Sequence, residues 1–270
     1  MNFKKFKKLK LTIVFIVLGF GAVVSLLVYY SLDPALLTKL SFYLDLANPA
    51  VRIVRVQEGL RKEEIANVMA DKLGWDEKAK NDFINAHLAM NTDNQEGHYF
   101  PETYLINKDE GPSVVSATMF EEFDKETGKI KQPKSTQIIN PEMALKIASI
   151  IQRESNGKVD MRLISGIIWN RIWSGMKLQI DATVQYAKGN AEDGWWKQVN
   201  KGDTKIDSPY NTYLYVGLPP GAIANPGLDA IAAAYNPQKT ECLFYLHDKR
   251  GQIHCSKTYE QHKRNIEIYF

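Results

Sequence analysis

The chain has 270 residues, 44% hydrophobic and 24% charged, with a formal net charge of +3. Five lysines fall in the first ten residues and no acid occurs in residues 1–30, so residues 31–270 carry 29 basic against 31 acidic side chains. That balance gives no support to nucleic-acid binding, and two cysteines, Cys242 and Cys255, are too few for a disulfide framework.

Residues 1–10 form a basic tail, expected in the cytoplasm. Leu11–Tyr30 (LTIVFIVLGFGAVVSLLVYY) runs twenty residues without a charge, roughly 30 Å at helical rise, the thickness of a bilayer's hydrocarbon core. A cleaved signal peptide would have an apolar stretch of about 7–15 residues and a small-x-small cleavage site. This run is longer and ends LLVYYSLDP with no such site. The expectation is a retained single-pass helix over 11–30 in the cell (inner) membrane, with the lysines inside and the C-terminal bulk extracytoplasmic or periplasmic. Residues 31–50 read as a linker.

Val51–Val56 (VRIVRV) alternates as a short strand, and Glu58–Gly59 turns it into a helix over Lys62–Leu73 with Ile65, Val68, Met69 and Leu73 on one face. Gly74 stops that helix. A second helix is expected over about Glu77–Met90, followed by the loop NTDNQEG. The segment EGHYFPETY brings two carboxylates, Glu96 and Glu102, together with Pro101 and the aromatics His98, Tyr99, Phe100 and Tyr104. Those rings suit either stacking on sugar faces or packing between two domains. Ser113–Thr127 reads as a helix with Ser113 at the N-cap and Gly128 at its end. The polar KIKQPKST that follows is a connector, which places a domain boundary between 51–128 and 129–270.

Asn140 as N-cap, Pro141 at N1 and Glu142 in the first turn open a helix that runs to about Ser155. Met143, Ile147, Ile150 and Ile151 form its apolar stripe. Glu154 follows those isoleucines by seven, four and three residues, so a carboxylate sits on the buried face at the helix's C-terminal end. Desolvation and the negative end of the helix dipole both raise the pKa of such a group, as a general acid requires. The plainer role is an edge glutamate paired with Lys158. Asp160 is expected to cap the next helix, to about Trp173, with Gly175 closing it. Leu178–Ile180 reads as extended, and Asp181 as the cap of a helix through Tyr186 that ends at Gly189.

Trp195 and Trp196 suit a sugar platform or surface packing equally. Ser208–Pro237 carries five prolines, three glycines and three asparagines, so most of it is neither helix nor central strand. Its Leu, Ile, Ala and Tyr content points to an ordered loop packed on a core, the kind that lines binding sites. Tyr210, Asn211, Tyr213 and Asn225 there, with Glu102 and Asp181 outside it, are the candidate substrate contacts. Glu241–Leu246 and Gln252–Ser256 flank DKRG as a hairpin. Pairing His247 with Gln252 sets Cys242 opposite Lys257, so free thiols are expected. Thr258 and Gln261 form a capping-box pair for a last helix.

Competing chemistries find little support. The five histidines make no HExxH spacing. Cys242, His247, His254 and Cys255 bracket one hairpin, a weak arrangement for zinc. No GxSxG elbow, SxxK motif or phosphate-binding glycine loop occurs. No metal or organic cofactor is expected.

Taken in order, EGHYFPETY, IASIIQRES (Ile147–Ser155), LQIDATVQYA, GLPPGAIANP and SKTYEQHKRN resemble the YceG-like family of endolytic murein transglycosylases, the MltG type. The resemblance covers roughly Val51–Ile266 and is best from Asn140 onward. It implies an α+β ectodomain: a small LysM-like module with its connecting segment (51–128) and a mixed α/β catalytic domain (129–270). It further implies endolytic cleavage of the MurNAc–GlcNAc linkage of nascent peptidoglycan, 1,6-anhydro ends, and termination of strand elongation. Glu154 falls on the family's catalytic glutamate. Glycan strands, the membrane and peptidoglycan synthases are the implied partners, and nucleic acid is not one. The chain departs from the family pattern in a short region before EGHYFPETY, and in His98 and Tyr99, where more apolar or bulky residues are expected. The alternatives are a non-catalytic wall-binding scaffold and a hydrolytic muramidase using Glu154 with Glu102 or Asp181.

Overall fold

The computed structural model describes residues 21, 43–44, 47–86, 95–130 and 139–269. The basic tail, the expected membrane span apart from Gly21, most of the linker and residues 131–138, which include most of the connector 129–136, lie outside the described residues. Among the described residues no helix is long and apolar enough to cross a membrane. The chain divides into two compact units, Met1–Val51 and Arg52–Phe270. Apart from Val51, the first residue of β1, the second carries every element discussed below.

The architecture is α+β. In chain order the elements are β1 (Val51–Arg55), α1 (Lys62–Leu73), α2 (Glu77–Ile84), β2 (Thr103–Asn107), α3 (Pro112–Thr127), α4 (Pro141–Glu154), α5 (Met161–Trp173), α6 (Asp181–Lys188), a 3-10 turn (Asp203–Lys205), α7 (Leu228–Tyr235), β3 (Phe244–His247), β4 (Ile253–Ser256) and α8 (Tyr259–Tyr269). β1 pairs with β2, and β3 with β4 antiparallel.

Local chemistry explains most boundaries. α1 ends where Gly74 turns left-handed (φ 73°) and returns its N–H to Ala70 O at 2.9 Å. Asn140 caps α4, its side chain accepting from Glu142 N at 2.8 Å, with Pro141 at the first helical position. Thr258 and Gln261 exchange the reciprocal bonds of a capping box at the start of α8.

Other boundaries differ from expectation. α3 starts at Pro112 with Gly111 as its N-cap, because proline at N1 brings a preset φ that Ser113 lacks. α2 ends at Ile84, and residues 87–90 of the longer expected helix lie outside the described residues. Asp160 precedes α5 but bonds no helix N–H, since its carboxylate is taken by Asn156 N and His247. Leu178–Ile180 is not a strand. Gln179 adopts φ 51°, the left-handed region, held by its N–H to Thr212 O at 3.1 Å. α7 lies inside the proline-rich stretch, where LDAIAAAY finds four alanines and one buried face between Gly227 and Asn236.

Two apolar clusters form the core. The first gathers Val54, Ile65, Met69, Phe83, Tyr99, Tyr104, Ile106 and Met119. The second gathers Ile147, Ile150 and Ile151 of α4, Ile164 and Trp169 of α5, Ile180, Ile223 and the alanine face of α7. Tyr99, Phe100 and Tyr104 are therefore core side chains, with no face left for a sugar. Trp169 donates its indole N–H to Ala234 O at 3.1 Å. Gly166, facing the 238–240 backbone, has no room for a Cβ beside the Gln238 carbonyl.

A polar seam joins the clusters. Asn225 is fully buried; its amide accepts from Gly97 N and Tyr99 N, both at 2.9 Å, and donates to Leu60 O at 3.0 Å and Glu96 Oε1 at 2.7 Å. Arg61 donates to Tyr186 O at 2.9 Å and lies over the Tyr186 and Trp195 rings. Arg153 covers Trp196, whose indole N–H reaches Glu64 at 2.9 Å. Both tryptophans thus hold cations at the seam.

Cys242 and Cys255 form a disulfide, with Cα atoms 5.8 Å apart. The expectation of free thiols fails because Cys242 lies before β3, outside the ladder. The ladder pairs His247 with Ile253 and Phe244 with Ser256, and Leu243 N bonds Ser256 O at 2.9 Å. No thiolate remains for zinc. Denatured, unreduced protein should take up no thiol reagent, and labelling of either cysteine without a reductant contradicts the bridge.

Burial, reinforced by the Glu63 charge, pushes the Glu96 carboxyl up to about 8. At neutral pH the folded chain thus holds a proton that the unfolded chain, with an ordinary carboxyl, has released. The stability this contributes is full below the ordinary carboxyl range and is lost as pH rises through about 8. Glu96→Gln keeps an acceptor and cannot ionise. Its melting temperature should fall less than the native protein's between about pH 5 and about pH 9; parallel curves would remove Glu96 as the cause.

Candidate active site

The isoleucine face of α4 is buried to 0% exposure at Ile147, Ile150 and Ile151, and Glu154 follows on the same face as the last helical residue. Its carboxyl opens on a cavity of about 490 Å³ lined by α5, α6, β3, α8 and the 208–237 loop. Asp181, Tyr213, Tyr245, His247 and Arg171 share that lining. Lys158, the plainer partner for Glu154, pairs instead with Asp229.

Several bonds hold the walls in place. The loop docks on α4 through Ile223 N to Ser149 Oγ and Gly227 N to Gln152 Oε1, both at 3.0 Å. Thr212 accepts from Ile180 N at 3.0 Å and meets the Thr183 hydroxyl at 2.9 Å, which fixes the start of α6 against the loop. Arg171 of α5 donates to Leu243 O and Leu178 O, tying the entry to β3 to the residues before α6. A non-glycine residue held left-handed, Gln179, sits in the same wall.

Two carboxyls face this cavity, and each is held by one phenol. Tyr245 donates to Glu154 Oε2 at 2.7 Å, and Tyr213 donates to Asp181 Oδ1 at 2.6 Å. Desolvation raises the Glu154 pKa and Asp181's charge adds to it, against the Tyr245 bond, the Ala182 N–H and His247. Desolvation also raises the Tyr245 phenol well above its ordinary value, and the Glu154 charge adds to that. Tyr213 is raised too, by burial first and by its bond to Asp181 second. Behind Tyr245, His247 Nε2 meets Asp160 Oδ2 at 2.7 Å. The arrangement offers one partly buried carboxyl of raised pKa beside a cavity of sugar-sized dimensions.

The structure brings Glu154, Asp181 and Tyr213 together. Tyr210 is half-buried and packs on Tyr186 at 4.7 Å between centroids. Asn211 is fully buried, donating to Thr204 O and Ile206 O and accepting from Tyr213 N. Asn225 occupies the seam. Glu102 lies elsewhere, in a second cavity of about 510 Å³ with Arg55, Gln57 and Glu58. Tyr245 and Arg171 carry no mark in the sequence, and His247 stands out there only beside Cys242, His254 and Cys255.

The model of the YceG-like family matches residues 29–268. An endolytic murein transglycosylase of Bacillus subtilis (strain 168) is 32% identical over 239 residues, covering 80% of this chain and 64% of the relative. One from Streptococcus pneumoniae serotype 2 (strain D39 / NCTC 7466) is 32% identical over 173 residues, covering 63% of this chain and 31% of the relative. The chain thus spans less than two thirds of the length of these curated relatives. A crystal structure of a yceG-like protein from Listeria monocytogenes superposes with a TM-score of 0.70 at 28% identity, covering 80% of this chain and 76% of that one.

Asn211 sets the turn that delivers Tyr213 to the cavity. Asn211→Ala leaves two buried carbonyls and one N–H without partners and should cost about 3 kcal/mol of stability in urea unfolding. A loss below about 0.5 kcal/mol, the level of an ordinary surface change, would contradict that role.

Proposed function

The chain belongs to the YceG-like family, and on that premise we propose that it is a membrane-tethered endolytic peptidoglycan lytic transglycosylase with Glu154 as its catalytic acid and base. One observation carries the reading: a carboxyl desolvated at the end of an isoleucine stripe, with raised pKa, opening on a cavity of about 490 Å³. The relatives named endolytic murein transglycosylases support the reaction class.

The chemistry needs a single carboxyl. Glu154 gives its proton to the oxygen joining MurNAc C1 to GlcNAc as the C1–O bond breaks and its electron pair goes to that oxygen. The C6 hydroxyl of the same MurNAc attacks C1, and its proton passes to the Glu154 carboxylate. No water is consumed, and a 1,6-anhydro end results. The attacking group is tethered to the reacting sugar, so proximity supplies what a hydrolase obtains from a positioned water. Asp181 and Tyr213, at the mouth of the cavity, contact the glycan in this scheme.

The twenty-residue apolar run after five lysines supports the tether and an extracytoplasmic ectodomain. The disulfide supports the same side, since such bonds persist in oxidising compartments. Strand, turn and helix at β1–α1 support a LysM-like front module that adds hold on the glycan. A tethered enzyme of this kind acts where strands are polymerised and ends their elongation.

Asp181 in the same cavity is the feature that favours a hydrolytic muramidase instead, and product analysis separates the two. The purified protein should release 1,6-anhydro ends from nascent peptidoglycan. Glu154→Gln should still bind glycan and lose about 10²–10⁴ in rate. Reducing ends would turn the reading to hydrolysis, and cleavage by the variant within tenfold of native would remove Glu154 from the mechanism.

A further inference from the structure

We propose that Tyr245 is a positioning residue for Glu154: its phenol fixes which carboxyl oxygen carries the proton and keeps that proton on the cavity side. The proposal rests on Glu154 acting as the general acid. The Tyr245 hydroxyl lies 2.7 Å from Glu154 Oε2 and has no other acceptor among the described residues. A hydroxyl with one acceptor donates to it. Oε2 is then the carbonyl-like oxygen, and in the protonated acid the hydrogen sits on Oε1. After the proton has gone to the glycosidic oxygen, the same bond steadies the carboxylate, and Oε1 receives the proton of the C6 hydroxyl. The phenol keeps its own hydrogen throughout, because burial holds its ionisation far above working pH.

The mount is rigid enough for this task. Tyr245 faces Cys255 across the β3–β4 ladder, and Cys255 is bonded to Cys242. Arg171 grips Leu243 O, two residues before Tyr245, at 2.6 Å. On the strand's own side, His247 meets the Tyr245 ring edge-on at 6.0 Å and is itself held by Asp160. The other groups that act on this pair come from separate elements. Asp181 of α6 is bound by Tyr213 of the loop, Arg171 belongs to α5, and Tyr259 and His262 of α8 line the same cavity. The Ala182 N–H of α6 also bonds the Glu154 carboxyl. None of these depends on the Tyr245 hydroxyl, so its removal takes one bond from Glu154 and leaves the others in place.

The test is Tyr245→Phe in the full-length, detergent-solubilised protein, with two independent readouts. Carboxyl titration of Glu154, isolated by infrared difference against Glu154→Gln, should move to higher pH, because a bond that favours the charged form has been removed. In cleavage of nascent peptidoglycan, the alkaline limb of the pH–rate profile should move the same way. There kcat should fall about tenfold with KM unchanged, the loss of one hydrogen bond to an ionising group. Tyr245→3-fluorotyrosine keeps the shape and donates more strongly, so it should move both readouts to lower pH and serves if the Phe variant does not fold. An unmoved Glu154 titration in a folded variant overturns the proposal, whatever the rate. If the titration moves but the native protein releases no anhydro ends, the positioning role stands and the transglycosylase reading falls.

Discussion

One buried amide, that of Asn225, holds this molecule in its working form. Its four hydrogen bonds tie the long loop to Leu60, Glu96, Gly97 and Tyr99. Its own backbone adds two more, from Asn225 N to Leu60 O and from Gly59 N to Asn225 O. A polar group with no access to water must find all its partners or lose several kcal/mol. That demand fixes the loop on the segments around Leu60 and residues 96–99 to within hydrogen-bond tolerance. The docking is tight: at Gly97, with φ +98°, a Cβ would come within 2.8 Å of Ala222. From that anchor the loop runs back to Thr212 and Tyr213 and forward into α7, so one wall of the cavity and the floor beneath α4 share a single point of reference.

The two carboxyls of the cavity show how similar bonds lead to different roles. Each accepts one phenolic hydrogen bond. Glu154 ends a helix face of isoleucines, and desolvation outweighs its bond. Asp181 stands exposed at the first position of α6. The same cleft therefore holds one desolvated carboxyl and one exposed carboxyl, set apart by burial rather than by hydrogen bonding.

What the sequence shows and what it hides divide along physical lines. Asn140, Pro141 and Gly74 act through their immediate neighbours, so α1 and α4 are readable from the chain alone. The periodicity that puts Glu154 on the buried stripe is equally local. Glu154's alignment with Tyr245 is not, because it crosses 91 positions. The cysteine bridge is equally hidden, since Cys242 lies before β3 and outside the ladder that pairs Cys255 with Tyr245. Asp160 looks like a cap by position and spends its carboxylate on a histidine 87 positions away. Asn211 and Asn225 read as ligand contacts because polar side chains in a long loop usually face water. Their burial follows from backbone groups elsewhere that needed partners. α7 was hidden by its flanking prolines, although LDAIAAAY is a good helix former once considered apart from them.

The bridge between Cys242 and Cys255 has a consequence for the chain before it folds. It closes a short ring, 13 positions in separation, that contains Tyr245 and His247. A cross-link of that span removes loop-closure entropy from the denatured ensemble, worth about 3 kcal/mol in the chain-entropy view. An unfolded chain in which this bridge has closed can thus retain a memory of its hairpin. The search that brings Tyr245 to Glu154 is then reduced from finding one residue in a disordered coil to docking a preformed loop onto the end of a helix.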